Sequence, residues 1–114
     1  KMTSVSLNGS GSEIFQRLYL SILKIIGDLS TKLPKPKKQI GKPTYFKRRN
    51  QKDSKIKENF KLIELYNFIR MLDMDEKNFP KANLKFGKFK YEFSNIKKIR
   101  NILKANVVIK YINR

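Results

Sequence analysis

The sequence predicts an α+β chain, and three observations carry that reading. Apolar residues recur at helical spacing over residues 14–29 and again over residues 62–72. The period then changes from 3.6 to 2 between residues 84 and 111. A stretch rich in proline and lysine separates the first helical pattern from all that follows. The chain therefore divides into a strand-plus-helix unit (1–30), a linker (31–42) and a second unit (43–114).

In order, "TSVSL" at residues 3–7 is short, carries β-branched Thr3 and Val5, and reads as a strand. "NGSGS" then breaks the chain with turn residues. Ser10 followed by Glu13 matches a capping box, so a helix should open just after Ser10. Ile14, Phe15, Leu18, Ile22, Ile25, Ile26 and Leu29 form its apolar stripe, with Glu13, Arg17, Lys24 and Asp28 largely on the other side. A strand, a Gly/Ser turn and a helix in this order look like the last unit of an α/β domain. Alone, such a unit has little to bury against, so the helix should pack on the rest of the chain or on another chain. "TKLPKPKKQIGKP" holds three of the four prolines and reads as an exposed, extended linker.

A second helix is expected over residues 59–72, capped by Asn59 and buried through Leu62, Leu65, Tyr66, Ile69 and Leu72. Pro80 stands beyond its end. Leu84 and Phe86 then alternate with Lys85, and Phe89, Tyr91 and Phe93 with Lys88, Lys90 and Glu92. Gly87-Lys88 between them has the length and the leading glycine of a type II′ hairpin turn. "ANVVIKYI" (105–112) supplies a third strand. The aromatic face should lie under the second helix, leaving Lys85, Lys88, Lys90, Lys104 and Lys110 on the opposite face.

Composition limits the chemistry. Among 114 residues, 27 Lys and Arg face nine Asp and Glu, a formal net charge of +18. That balance attracts polyanions, although the abundance of Lys, Asn and Ile also resembles a proteome-wide bias. The absence of cysteine and histidine excludes disulfides, Cys/His zinc sites and a histidine general base within this chain. No stretch reaches the roughly 18 apolar residues of a membrane span. A soluble, cytoplasmic protein is the expectation. Asp73, Asp75 and Glu76 read as solvated acids at a helix exit, with no metal centre expected.

Three motifs then carry a resemblance: "PTYFKRRNQKDSKI" (43–56), "LYNFIRML" (65–72) and "NFPKA" (78–82). In this order they resemble the entry to the C-terminal domain of the folate-dependent formyltransferases, the family of methionyl-tRNA formyltransferase and the sugar N-formyltransferases. "SLNGSGSEIFQRL" (6–18) is similar to the end of that family's catalytic domain. Lys81 stands where the family's turn has Gly, Asn83 where a hydrophobic residue is usual, and Asp53-Ser54 in place of an acid-Gly pair. The resemblance implies a small, half-open β-barrel with one packed helix from residue 43 on, preceded by the strand-and-helix remnant of an α/β domain. It also implies transfer of a formyl group from 10-formyltetrahydrofolate to a substrate amine, on methionyl-tRNA or an amino-sugar nucleotide. The family's Asn/His/Asp apparatus belongs to the N-terminal domain, and a chain without histidine lacks it. This chain is thus expected to bind no cofactor itself, to be inactive alone, and to need the missing catalytic domain. Homo-oligomerisation through the first helix is a further expectation, as is the absence of a membrane partner.

The candidate substrate contacts are Tyr45, Lys47, Arg48, Arg49 and Arg70. Guanidinium forks match phosphate oxygens and a neighbouring ring can stack a base; the alternative is a solvated turn whose arginines pair with Asp53. The resemblance places Arg70 near an interdomain cleft, and the alternative is a structural bond from Arg70 to the Phe79–Pro80 turn. Lys37, Lys38, Lys85, Lys88 and Lys90 are the candidates for polyanion contact. The rival reading is a stand-alone basic RNA-binding module.

Overall fold

The computed structural model describes residues 3–112. Its elements are α1 (Gly11–Thr31), a 3-10 turn (Gln51–Ser54), α2 (Leu62–Met71) and three strands: β1 (Asn83–Phe86), β2 (Phe89–Ile99) and β3 (Ile102–Tyr111). The strands form one open antiparallel sheet in the order β1-β2-β3. The α+β reading stands.

The capping box opens α1 where the sequence placed it. Ser10 Oγ accepts from the Glu13 amide at 3.3 Å, and the Ser10 amide donates to Glu13 Oε2 at 3.0 Å. The expected strand at residues 3–7 does not form. A strand needs a ladder partner, and here arginines take the carbonyls instead. Arg17 donates to Ser6 O and Asn8 O, and Arg70 to Leu7 O and Gly9 O.

α1 touches the rest of the fold through its first turn. Gly11 and Ile14 are its buried residues. The Ser12 amide donates to Asp73 O at 3.2 Å, and Ser12 Oγ accepts from the Asp75 amide at 2.8 Å. The remainder of this 21-residue helix projects outward with its apolar stripe exposed. Residues 32–50 have no regular secondary structure and are exposed throughout, as a proline-rich linker should be.

α2 starts at Leu62, three residues after the expected position. Glu64 Oε2 reaches back to the Lys61 amide at 2.9 Å and selects that start. Phe60, just outside the helix, packs its ring on Phe68 with centroids 5.0 Å apart.

The first hairpin is as expected. Phe86 pairs with Phe89, and Gly87 at φ 61° takes the left-handed position that a type II′ turn requires. The second hairpin is longer than the sequence showed, with β2 running to Ile99 and β3 starting at Ile102. A β-bulge between Ser94 and Lys97 is the cause. Between those two residues β2 takes three steps where β3 takes two, which breaks the period of two by which a strand is read.

Ile69, Leu72 and Ala82 form the core, joined by Leu65, Phe68, Phe79, Phe93 and Ile96. Phe79 therefore covers the core. The expectation that α2 would cover the whole aromatic face is corrected here: Phe86 is 75% exposed and Phe89 43%. Ten helical residues span about 15 Å, whereas the eleven residues of β2 span about 36 Å. α2 reaches Phe93 and Ile96 and leaves the hairpin end bare.

Candidate functional site

A cleft of about 670 Å³ opens between the first turn of α1, the outer face of α2 and the bulged part of β2 and β3. Its charged lining is Glu13, Arg70, Asp73, Lys97 and Lys104, with Tyr66 between.

Each side chain is positioned by a different device. The α2 helix carries Tyr66 and Arg70 one turn apart, so the guanidinium lies over the ring at 5.6 Å. Arg70 Nε donates to Asn67 Oδ1 at 2.9 Å, and Nη1 to Leu7 O at 2.6 Å and Gly9 O at 3.0 Å. Arg70 thus ties the segment before α1 to α2. The alternative bond to the Phe79–Pro80 turn is not made; Ser54 Oγ donates to Pro80 O instead, at 3.3 Å.

Asp73 holds the bulge in place. Its Oδ2 accepts from the Asn95 amide at 2.9 Å, which fits the left-handed backbone at Asn95 (φ 50°), and its Oδ1 pairs with Lys81 Nζ at 2.9 Å. The expectation of solvated acids is therefore wrong for Asp73, whose residue is 9% exposed. Its carboxylate satisfies a backbone donor that the bulge takes out of the ladder. Among the described residues no cluster of acids is arranged to hold a metal ion.

Lys97 and Lys104 face one another across the β2–β3 register beyond the bulge. Neither has an ion-pair partner among the described residues. Glu13 is engaged with the Ser10 amide and Asp73 with Lys81 and Asn95. The cleft thus presents an excess of positive charge, suited to an anionic ligand. The sequence did not single out Lys97, because the bulge conceals which face it shares with Lys104.

The remaining candidates fall in separate places. Tyr45 is 88% exposed, and Lys47 and Arg48 are exposed beside it in the loop. Arg49 stays exposed but lies back on the fold: Nη2 donates to Asp53 O at 2.8 Å and approaches Ser54 Oγ at 3.4 Å, and the guanidinium covers the Phe68 ring at 5.8 Å. The suggested pairing of the arginines with the Asp53 carboxylate is not formed: Arg49 bonds the Asp53 carbonyl, and the carboxylate accepts from the Asn50 amide at 2.8 Å. Lys37 and Lys38 are exposed in the linker. Lys85 pairs in register with Lys90, and Lys90 with Lys110, making one row across the sheet. Glu92 tempers that row, 3.7 Å from Lys90 and 3.0 Å from Lys110. Lys88 sits in the turn. The candidates do not converge on one site; Arg70 is the one that lies in the cleft.

Comparison with known proteins gives two matches. Residues 51–110 match the family model described as methionyl-tRNA formyltransferase, C-terminal domain. A solved structure of methionyl-tRNA formyltransferase from Clostridium thermocellum superposes with a TM-score of 0.86 at 38% identity. The match covers 94% of this chain and 47% of that one, so this chain spans about half of that chain's length. No curated protein matches the sequence.

Proposed function

The chain belongs to the methionyl-tRNA formyltransferase C-terminal domain family, and from that premise we propose that it is the substrate-holding part of a formyltransferase. The reaction would move a formyl group from 10-formyltetrahydrofolate to a substrate amine. The amine nitrogen attacks the formyl carbon, the new C–N bond replaces the bond to N10 of the folate, and the proton that the amine gives up is matched by one taken up at N10 as tetrahydrofolate leaves. This chain has no histidine to take that proton, so the catalytic apparatus and the folate site are assigned to an N-terminal α/β domain. The apolar stripe of α1 supports that assignment. Phe15, Leu18, Ile22 and Ile26 are each 40–57% exposed, the face an amphipathic helix reserves for a sheet or helix laid against it.

The observation that carries the reading is the cleft beside that helix. Arg70, Lys97 and Lys104 line one cavity at the root of α1, where a substrate spanning two domains would pass. The net charge of +18 favours methionyl-tRNA over an amino-sugar nucleotide, since a long phosphate backbone makes use of dispersed lysines such as Lys37, Lys38, Lys85 and Lys88. The family match does not favour the rival reading of a free-standing RNA-binding module.

The test uses the full-length enzyme with Arg48→Ser alone and with Lys97→Ser plus Lys104→Ser. The expected result is a raised KM for the aminoacyl-tRNA with the KM for folate unchanged. The salt slope of binding should fall by about one for each phosphate that is no longer neutralised. Unchanged tRNA kinetics in both variants would refute the assignment of the cleft and loop to substrate.

A further inference from the structure

The segment before α1 pairs with no strand, yet the carbonyls of residues 6–9 are all taken. Arg17 Nη1 donates to Ser6 O at 2.8 Å, and its Nη2 to Asn8 O. Arg70 Nη1 donates to Leu7 O at 2.6 Å and to Gly9 O at 3.0 Å. The carbonyls thus alternate between two guanidinium groups, as those of a central strand alternate between two neighbours. Arg17 belongs to α1 and moves with the segment. Arg70 belongs to α2, and its Nε donates to Asn67 Oδ1 at 2.9 Å, which fixes the plane of the fork. Arg70 is therefore the grip that crosses from one unit of the chain to the other.

The first turn of α1 completes the contact. The Ser12 amide is one of the first-turn donors that a helix cannot satisfy internally, and it reaches Asp73 O at 3.2 Å. Ser12 Oγ accepts from the Asp75 amide at 2.8 Å. Gly11 permits the approach, since a Cβ there would stand 2.5 Å from Met71 O. By contrast, residues 32–48 are exposed throughout and have no regular structure. A chain of that kind limits separation but sets no orientation.

Resting on the formyl-transfer reading above, we infer that Arg70 is a positioning residue for that reaction. With the first turn of α1 it forms the joint that fixes the catalytic domain over the cleft, and the 32–48 stretch is a tether alone. The residues that lead out of the catalytic domain are the ones Arg70 holds. A formyl donor in that domain and a substrate gripped in this cleft therefore keep one separation. A displacement of about 1 Å between reacting groups can cost about a hundredfold in rate. The work divides accordingly: Lys97 and Lys104 grip the substrate, and Arg70 sets where its amine stands. The tether matters little, since doubling its length lowers the effective concentration only about threefold.

The joint is read first on the complete chain, with neither folate nor amine present. Three variants are compared: Arg70→Met, Ser12→Ala, and a Gly/Ser insertion after Gly41 that doubles the 32–48 stretch. Gly41 is exposed, with open space around it. The amide of residue 12 reports the joint, because its bond crosses to Asp73. Its hydrogen exchange should quicken about fivefold in each of the two substitutions, the worth of one hydrogen bond. The insertion should quicken it about threefold at most, and the amides of Ile69 and Leu72 should not change in any variant. In the full-length enzyme, Arg70→Met and Ser12→Ala should both lower kcat roughly tenfold or more, with KM unchanged for folate and for aminoacyl-tRNA. The insertion should leave kcat alone. Ser12 does not line the cleft, so its effect cannot come from a lost contact to substrate. A raised aminoacyl-tRNA KM at unchanged kcat in Arg70→Met would make Arg70 a grip on substrate and overturn the inference. So would wild-type exchange and kcat in Ser12→Ala, or an insertion that lowers kcat as far as the substitutions do. A wild-type enzyme that transfers no formyl group would instead overturn the reading of function on which the inference rests.

Discussion

Two glycines of α1 should respond in opposite directions to the same substitution. A Cβ on Gly11 would lie 2.5 Å from the Met71 carbonyl oxygen and 2.7 Å from Met74 Sδ. The sulfur can swing away, but the carbonyl belongs to the end of α2 and cannot. Overpacking of this kind costs about 1–3 kcal/mol. The alternative is to lift the first turn of α1 from the domain, which forfeits the two Ser12 bonds at about 1 kcal/mol each. It also uncovers Ile14, 8% exposed in the fold, for about 2 kcal/mol more. Lifting the turn therefore costs about 4 kcal/mol, and overpacking is the cheaper response. After a helix-propensity gain of about 0.5–1 kcal/mol, Gly11→Ala should lose about 1–2 kcal/mol. At about 4–8 °C per kcal/mol for a domain this small, Tm should fall by roughly 10 °C. Gly27 has nothing within 4 Å of its would-be Cβ, so Gly27→Ala keeps the propensity gain and should stabilise by about 0.5–1 kcal/mol. Thermal and denaturant unfolding of both variants decides the matter. A Gly11→Ala variant as stable as wild type, or a Gly27→Ala variant that loses as much, would refute the close approach of α1 to α2.

Arg70→Met removes the bonds to Leu7 O and Gly9 O. Water can replace most of this at the surface, so the stability loss should stay near about 1 kcal/mol, while amide exchange across residues 3–9 quickens and that of α2 does not. Asp73→Ala strands the Asn95 amide and leaves the Lys81 ammonium with Met74 O and solvent, and unfolding in urea should show a loss of about 1–3 kcal/mol. Asp73→Asn, which keeps an acceptor for the amide, should lose visibly less. Equal losses in the two variants would show that the bulge does not depend on that hydrogen bond.

Much of the fold was legible from short-range physics. The capping box at Ser10 and Glu13 is a reciprocal exchange between two side chains and two amides within one helical turn, and it set the helix start by itself. Gly87-Lys88 fixed the first hairpin, because a positive φ at that position is strained for any residue with a Cβ. The motifs of residues 43–82 pointed to the family that the comparison of residues 51–110 then supplied. The second hairpin was not legible: the bulge breaks the period, and what stabilises it is Asp73, 22 residues away in sequence.

The roles of individual arginines were likewise set by distance in space. Arg48 and Arg49 are identical and adjacent in sequence, yet Arg48 faces solvent while Arg49 lies on Phe68 and bonds the Asp53 carbonyl. Nothing in the local pattern separates them. The sequence by itself determined the helix start, the first turn, the charge and the order of elements, since each follows from composition or from neighbours within a turn or a hairpin. Only the tertiary structure decided that α2 is too short to cover β2, that Lys97 and Lys104 meet Arg70 in one cleft, and that Phe86, Phe89 and Tyr111 stand bare. Those outcomes depend on where a helix of fixed length comes to rest on a longer strand, and residues far apart in the chain set that position together.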